Sequence, residues 1–420
     1  MRSLGNKISV ENIADVLFCL FLVMSFLSER SILGRSTMFL FIGICLFLIV
    51  LRGSIAKLPF YFVLEIIFIG YCIFQVLSDI SVDQSASIDM IYTLSICTLV
   101  YIMLYNYAIL KNNFKHMLKL FFLSYFGAIV INLIIDAGTL FESRSGTGIE
   151  IGGVQIGGVT PISVGWMAGI CMVLATIVYK KDKKKFWLVF VLLLLALLSA
   201  GTRKAFLFVP IAMLGWFYFN KRSKNILKLF SYIIIVTILC IIGYYITISN
   251  PTLYSIVGYR FESVVIYITS DKGNIDDASM LTRLSLIETA KFALSERPFA
   301  GWGLDNFRYI FNSGGYYSHS NFFEILVSGG WIGFVIYYMK YLYVMFSLWF
   351  CRRYADNQAK NRINILLLLT IVMIVLEYWQ VTYYTRKFMM VWVLILIYVQ
   401  SVRTSEKSMQ IPIEYRRNPC

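Results

Sequence analysis

Long apolar stretches, separated by short polar segments, dominate the chain. A membrane-spanning helix needs about 20 mostly apolar residues, and twelve stretches approach that length. They lie at about 13–28, 37–51, 59–78, 87–108, 117–136, 156–179, 186–200, 204–219, 226–248, 321–348, 362–382 and 387–402. The pattern therefore predicts an all-α polytopic membrane protein with about 12 transmembrane helices.

One polar stretch, residues 249–320, is too long to be a simple turn between two of these helices. It separates an N-terminal transmembrane bundle (1–248, helices 1–9) from helices 10–12 (321–402), and a polar tail (403–420) follows them. Loops longer than about 15 residues in a compact architecture are usually functional or disordered. The aromatic residues and paired glycines of this loop favour a function.

Within the loop, apolar residues recur at helical spacing between Ser279 and Glu296 and predict a surface helix that Pro298 ends. The predicted apolar face consists of Leu281, Leu284, Ile287, Ala290 and Leu294. Asp277 or Ser279 is a candidate N-cap, and a short second helix is expected over 304–311. The apolar face is expected to lie on the membrane surface, to cap the bundle or to cover a lipid substrate.

Composition and charge support a membrane protein with a defined orientation. Hydrophobic residues make up 59% of the chain and charged residues 15%, against about 25% charged residues in soluble domains. The net charge of +15 would suggest a nucleic-acid partner in a soluble protein, but here the charges flank the predicted spans, so none is expected. Outside the long loop, 24 lysines and arginines fall on one side and 7 on the other. The positive-inside rule then places both termini in the cytoplasm and the long loop outside.

Two histidines are present, and they differ in context. His116 lies in a basic loop and is expected to be solvated. His319 lies where the long loop re-enters the membrane, and neighbouring cations and the positive end of a helix favour its neutral form. A neutral imidazole is a competent general base. Asn321 and Glu324 could orient His319, and Glu377 near the outer end of its span could reach the same pocket.

Three arginines lie on the same predicted outer side as His319. Arg203 follows the seventh span in a short loop, where cations are disfavoured. Arg260 follows the ninth span, and Arg283 lies on the predicted surface helix. Each alone is consistent with a solvated or anchoring charge, but together they could form a cationic pocket.

Arginines beside one neutral base suit a particular reaction. The guanidinium fork binds phosphate oxygens in pairs, and fixed cations stabilise a diphosphate as it leaves. The histidine can take the proton of an attacking sugar hydroxyl. We therefore predict glycosyl transfer from a polyprenyl-diphosphate donor. No cofactor is expected, and no metal, because the outer loops lack Asp-x-Asp and offer only the adjacent Asp276 and Asp277.

Two motifs lie in and after the loop: Pro298-Phe299-Ala300-Gly301-Trp302-Gly303-Leu304-Asp305-Asn306-Phe307 and Ser318-His319-Ser320-Asn321, the latter followed by Gly329-Gly330. They resemble motifs of the O-antigen ligase and Wzy-type polysaccharide polymerase family. Arg203 in Gly-Thr-Arg and Arg283 also match arginines of the family pattern. Ser320 departs from it, because asparagine is usual there.

The resemblance implies a GT-C-like membrane glycosyltransferase of the bacterial cytoplasmic membrane that acts on undecaprenyl-diphosphate-linked oligosaccharides. Arg203 and Arg283 would bind the diphosphate and His319 would activate the acceptor. Flippase and chain-length regulator proteins are the expected partners. The favoured function is a polymerase of repeat units, and a ligase that moves the finished glycan to another acceptor is the alternative. A twelve-helix transporter is a third reading, but it normally places polar residues near the bilayer midplane in two related halves.

Overall fold

The computed structural model of the protein describes residues 10–29, 31–139, 149–151, 154–156, 159–220, 225–269, 278–310 and 313–410. Within these ranges the chain is almost entirely helical, which confirms the predicted all-α polytopic class. A small antiparallel hairpin also pairs Ile149–Ile151 with Val154–Ile156. It lies in the glycine-rich stretch that leads into the sixth helix.

The helices are numbered along the chain. Before the long loop they are α1 Val10–Leu27, α2 Ile32–Arg52, α3 Phe60–Leu77, α4 Gln84–Lys111, α5 Phe114–Ile135, α6 Pro161–Val178, α7 Lys183–Ala200, α8 Phe208–Leu214 and α9 Ile226–Ser249. The loop contains α10 Pro251–Leu253, α11 Tyr259–Thr269 and α12 Ala278–Glu296, and α13 Asn321–Tyr354, α14 Asn357–Glu377 and α15 Arg386–Gln410 follow it. Single 3₁₀ turns cover Ala137–Thr139, Arg203–Leu207 and Phe307–Tyr309, and π-helical turns cover Gly215–Phe219 and Tyr254–Gly258.

Among the described residues, ten helices are long and apolar enough to cross a membrane, compared with the twelve predicted spans. The seventh predicted span lies in α7, whose 18 residues begin with three lysines. The eighth, residues 204–219, is a 3₁₀ turn, the seven-residue α8 and a π-helical turn in succession. Hydropathy averaged along a sequence is the same whether the helix is continuous or broken, so the pattern could not show these interruptions.

Polar caps set where several helices begin. Ser31, Asp83 and Asp182 each accept a hydrogen bond from a backbone N–H in the first turn of α2, α4 and α7. Gly53 and Gly201 end α2 and α7 in the left-handed conformation. These contacts satisfy backbone groups that have no partner within the helix.

The interior of the bundle is formed by α6 and α15, each with 78% of its spanning segment buried. α6 packs against α5, α7 and α8, while α15 packs against α4 and α13. By contrast, 6% of the spanning segment of α9 is buried. Apart from the side that packs on α8 and the two π-helical turns, most of α9 is therefore available to lipid.

α13 is interrupted at Gly330, which adopts φ 60° and ψ −167°. An added Cβ at this position would lie 2.1 Å from the carbonyl oxygen of Phe299, so only glycine fits. The interruption frees backbone N–H and C=O groups on both sides. Within a membrane, such groups need partners from the protein itself.

The glycine-rich motif of the long loop and two side chains of α3 provide those partners. The hydrogen bonds run from Trp302 N to Val327 O (2.9 Å), Gly303 N to Ser328 O (3.0 Å), Trp331 N to Pro298 O (2.8 Å), Ile332 N to Phe299 O (3.3 Å), Gln75 Nε2 to Ser328 O (2.8 Å) and Tyr71 Oη to Gly329 O (2.9 Å). The motif is thus a docking element that pairs with the opened helix. Segment 298–303 and α13 consequently hold each other in place.

The surface helix of the loop, α12, begins and ends within one residue of its predicted bounds. Its buried face is different from the predicted one, because Leu286, Ala290 and Ala293 pack in a small apolar cluster while Leu281 is exposed. The cluster also contains residues of the loop and of α13, so α12 packs on the protein itself. The second predicted helix, over 304–311, is a single 3₁₀ turn at Phe307–Tyr309. The proposed cap Asp277 lies outside the described residues.

Candidate active site

His319 lies in a tight backbone turn immediately before α13. Its φ of 56° is a left-handed conformation that residues other than glycine rarely adopt. Ser320 follows as the N-cap of α13. The imidazole is half-buried, and its ring centroid lies 4.3 Å from that of Tyr317. Strained backbone of this kind persists only where the surrounding structure holds it, and it is frequent at functional sites.

Glu324 holds this turn from within the first turn of α13. Its buried carboxylate accepts the backbone N–H of Ser318 at 2.9 Å. The hydroxyl of Ser318 in turn donates to the carbonyl oxygen of Ser320 at 2.8 Å. Glu324 therefore contacts the backbone beside His319, and it positions the turn that carries the imidazole.

The surroundings of His319 keep its side chain neutral. Burial, followed by the positive charges of Arg283 and Lys204, lowers the pKa of His319 from 6.5 to about 4. The imidazole can therefore accept a proton at physiological pH. The same effect places the side chains of Arg283 and Lys204 within electrostatic range of the ring, although they are far from it in sequence.

The other two predicted arginines form a second group around the 3₁₀ turn that follows α7. Nη1 of Arg203 donates to the carbonyl oxygen of Arg260 at 2.9 Å. Nη1 of Arg260 reaches the carbonyl oxygen of Gly201 at 3.4 Å, and its Nε donates to the hydroxyl of Tyr259 at 2.7 Å. These contacts join the start of α11 to the end of α7.

Lys204 connects the two groups of cations. It follows Arg203 directly in the chain, lies within electrostatic range of both Arg203 and Arg283, and donates to the carbonyl oxygen of Trp379. All four cationic side chains are partly buried. The sequence placed Lys204 on the same side as Arg203, but its electrostatic effect on His319 was not predicted. The signal that could have found it is the pair of adjacent cations in a short outer loop.

Asn321 and Glu377 belong to a separate buried network. The amide nitrogen of Asn321 donates to the Glu377 carboxylate at 3.0 Å, and its oxygen accepts the backbone N–H groups of Thr382 and Tyr383. Glu377 also accepts the hydroxyl of Thr382 at 2.7 Å. This network ties the start of α13 to the connection between α14 and α15. Within the described part of the chain, no hydrogen bond joins it to His319.

His116, which was expected to be solvated, has a partner. Its Nε2 atom lies 2.8 Å from the carboxylate of Asp15, which also binds Lys111 and the hydroxyl of Tyr107. This cluster joins α1 to α4 and α5. The two histidines thus differ sharply, since His116 pairs with a carboxylate and His319 faces cations.

Comparison with known families identifies the segment that carries these residues. Residues 188–338 match the family model described as O-antigen ligase. The match runs from α7 into α13 and includes His319 and all four cations described above. A comparison with curated proteins found no match.

The match gives the residue pattern a chemical context. The family implies a glycosyltransferase-like membrane enzyme with a lipid-linked oligosaccharide substrate. The ten apolar helices among the described residues agree with a multi-pass protein of the bacterial inner membrane. It supports glycan transfer over the transporter reading. The resemblance seen in the sequence is confirmed for residues 188–338, the segment that matches the O-antigen ligase model.

Proposed function

We propose that the protein is a polysaccharide polymerase that joins undecaprenyl-diphosphate-linked oligosaccharide repeats on the outer face of the cytoplasmic membrane. One observation carries the proposal: a neutral, partly buried imidazole stands within electrostatic range of two cations. Such a site concentrates positive charge beside the base. It suits a substrate that brings an anionic group next to a hydroxyl.

The cations would bind the diphosphate of the donor. Arg283 and Lys204 act electrostatically on His319, and Arg203 lies within electrostatic range of Lys204. Arg260 has two of its donor groups occupied by protein oxygens, so its expected contribution is to position Arg203. Fixed cations stabilise the transition state because negative charge accumulates on the leaving diphosphate.

His319 would act as general base on the acceptor sugar. The acceptor hydroxyl oxygen forms the new bond to the anomeric carbon of the donor, and its proton passes to the imidazole. The bond between that carbon and the diphosphate oxygen breaks, and the diphosphate leaves with the electron pair. The transfer step needs no further reactant.

Donor binding also adjusts the strength of this base. A pKa of about 4 makes His319 a weak base in the empty site, and general bases work best with a pKa near the operating pH. A bound diphosphate would offset the charges of Arg283 and Lys204, which contribute to the low value. The donor itself would therefore raise the pKa of His319 and activate the base.

Substitution of His319 tests the proposal. His319→Ala should lower polymer formation by at least about 100-fold, because general bases contribute 10²–10⁴-fold. Polymer is measured by gel electrophoresis of the surface glycan from cells that carry the variant as their single copy. His116→Ala is the matched control, and it should leave polymer length and yield unchanged. Unchanged polymer with His319→Ala, at equal protein levels in the membrane, would reject the proposed role.

The ligase alternative draws support from the description of the matched family. Deletion of the gene separates the two functions. Single repeats that remain on the lipid carrier indicate a polymerase, whereas long polymer that remains unattached to its final acceptor indicates a ligase. Partnership with flippase and chain-length regulator proteins is proposed only for the polymerase.

A further inference from the structure

A large cavity lies at the opposite end of α13 from His319. Its volume is about 1250 Å³, and it is lined by residues of α9, α13, α14 and the π-helical turn Gly215–Phe219. Small-molecule sites usually span about 300–1,000 Å³, so the cavity exceeds what a typical metabolite fills. The 34 residues of α13 extend over about 50 Å at 1.5 Å per residue, apart from the interruption. The cavity is therefore remote from the candidate active site.

One part of the cavity lining is positively charged. Arg352 and Arg353 from the last turn of α13 and Lys360 from the first turns of α14 line it, and its described lining includes no carboxylate. The Arg352 guanidinium lies 5.9 Å from the ring centroid of Trp349, which also lines the cavity. The concentration of positive charge favours an anionic occupant.

The lining changes from polar to apolar along α14. Asn357, Asn361 and Asn364 follow one another on one face of the helix, and Leu368 and Ile371 continue the same face. Within the described part of the chain, the side chains of Asn361 and Asn364 make no hydrogen bond. Polar side chains in membrane helices normally have hydrogen-bond partners. The amides of Asn361 and Asn364 can therefore bond to an occupant of the cavity or to water.

We infer that this cavity binds one anionic phospholipid, with its phosphate at Arg352, Arg353 and Lys360 and an acyl chain against Leu368, Ile371 and Trp349. The ester and glycerol oxygens of such a lipid lie between phosphate and chain, as the asparagines lie between the cations and the apolar residues. A free anion would satisfy the cations and leave the apolar half of the cavity empty. Basic pockets between membrane helices are known to bind anionic headgroups.

The charge pattern of the sequence assigns the leaflet. The three cations belong to the side of the chain with 24 lysines and arginines, which the positive-inside rule places in the cytoplasm. The occupant is then a lipid of the cytoplasmic leaflet, and the donor substrate of the proposed reaction lies in the other leaflet. The inference does not depend on the proposed function.

Tryptophan quenching in the purified full-length protein tests the site. Phosphatidylglycerol with brominated acyl chains should quench the fluorescence of Trp349, and the signal is isolated as the difference between the natural protein and Trp349→Phe. Arg353→Gln/Lys360→Gln should weaken binding about 30-fold, which corresponds to about 2 kcal/mol at 1 kcal/mol per cation. Lys360→Gln alone should weaken phosphatidylglycerol binding about 5-fold, and it replaces the double variant in the test if the double variant does not fold.

The matched control removes two cations elsewhere on the same predicted side. Lys183 and Lys184 are exposed at the start of α7 and do not line the cavity, so Lys183→Gln/Lys184→Gln should bind phosphatidylglycerol as the natural protein does. Equal losses in the two double variants would show diffuse attraction and overturn the inference. Equal quenching by brominated phosphatidylcholine, or displacement of phosphatidylglycerol by millimolar inorganic phosphate, would overturn it as well.

Discussion

Replacement of Arg283 by glutamine should raise the pKa of His319 in the substrate-free protein. The charge of Arg283 is the second cause of the low value, after burial and before the charge of Lys204. It therefore accounts for at most half of the difference between 6.5 and about 4. We expect Arg283→Gln to raise the pKa by up to about one pH unit, because one of two nearby cations is lost.

The protein is well suited to this measurement because it contains two histidines. Selective isotopic labelling of histidine gives two imidazole signals in an NMR titration, and His319→Gln assigns them. Two further variants show whether the charge of residue 283 is the cause. Arg283→Lys keeps the positive charge, so the pKa of His319 should stay low even though phosphate binding by the fork is lost. Lys291→Gln removes an exposed cation that pairs with Glu288 on the same helix, and it should leave the His319 pKa unchanged.

The sign of the effect follows from proton binding. A cation beside His319 disfavours the imidazolium, so its removal favours protonation and moves the titration to higher pH. As pH falls, Arg283→Gln should lose its neutral base earlier than the natural protein does. If the His319 signal titrates near 6.5 in the natural protein, Arg283 does not lie beside His319. The same follows if the signal titrates at the same pH in Arg283→Gln and in the natural protein.

Three further predictions concern the frame around the imidazole. Gly330→Ala should lower the free energy of unfolding by about 2 kcal/mol or more, because the added Cβ would lie 2.1 Å from a carbonyl oxygen and the backbone conformation disfavours alanine. Gly43→Ala, which adds a Cβ in open space on α2, should have little effect in the same thermal melting experiment. Arg203→Lys should strongly reduce polymer formation with normal membrane insertion, since a point charge cannot replace the fork; full activity would indicate a plain anchor. Glu324→Ala should reduce polymer formation more than Glu324→Gln does, because glutamine still offers an oxygen to the turn before α13; equal losses would contradict that positioning role.

The local sequence pattern was sufficient to predict the helices whose first and last residues are set by nearby residues. The bounds of α9 and α12 fall within one residue of prediction, and α13 begins at the predicted position, Asn321. A long apolar run, a cap or a proline marks each of these limits. The arginines and the histidine stood out as candidates because polar residues are conspicuous in an apolar chain, and their roles stay predictions.

Features that depend on distant partners could not be predicted. The buried face of α12 is fixed by Phe307, Ile310 and Val327, which come together with it only in the folded chain. The contact of Asn321 with Glu377 joins residues 56 positions apart, so proximity to His319 in the sequence was misleading. The backbone groups of the loop motif that pair with the interruption of α13 at Gly330 were not visible from sequence spacing.

The backbone pairing of segment 298–303 with α13 fixes the distance between two chemical groups, the Arg283 guanidinium and the His319 imidazole. Arg283 is carried by the helix that ends just before this segment, and His319 is carried by the turn that begins α13. The separation between cation and imidazole is thus built into main-chain geometry before any sugar arrives. Gly301 and Gly303 cannot be exchanged for larger residues, because an added Cβ would lie 2.5 Å from the backbone nitrogen of Gly330 or 2.4 Å from the hydroxyl of Ser81. Insertion or deletion of a single residue between Pro298 and Gly303 would change the separation of Arg283 and His319.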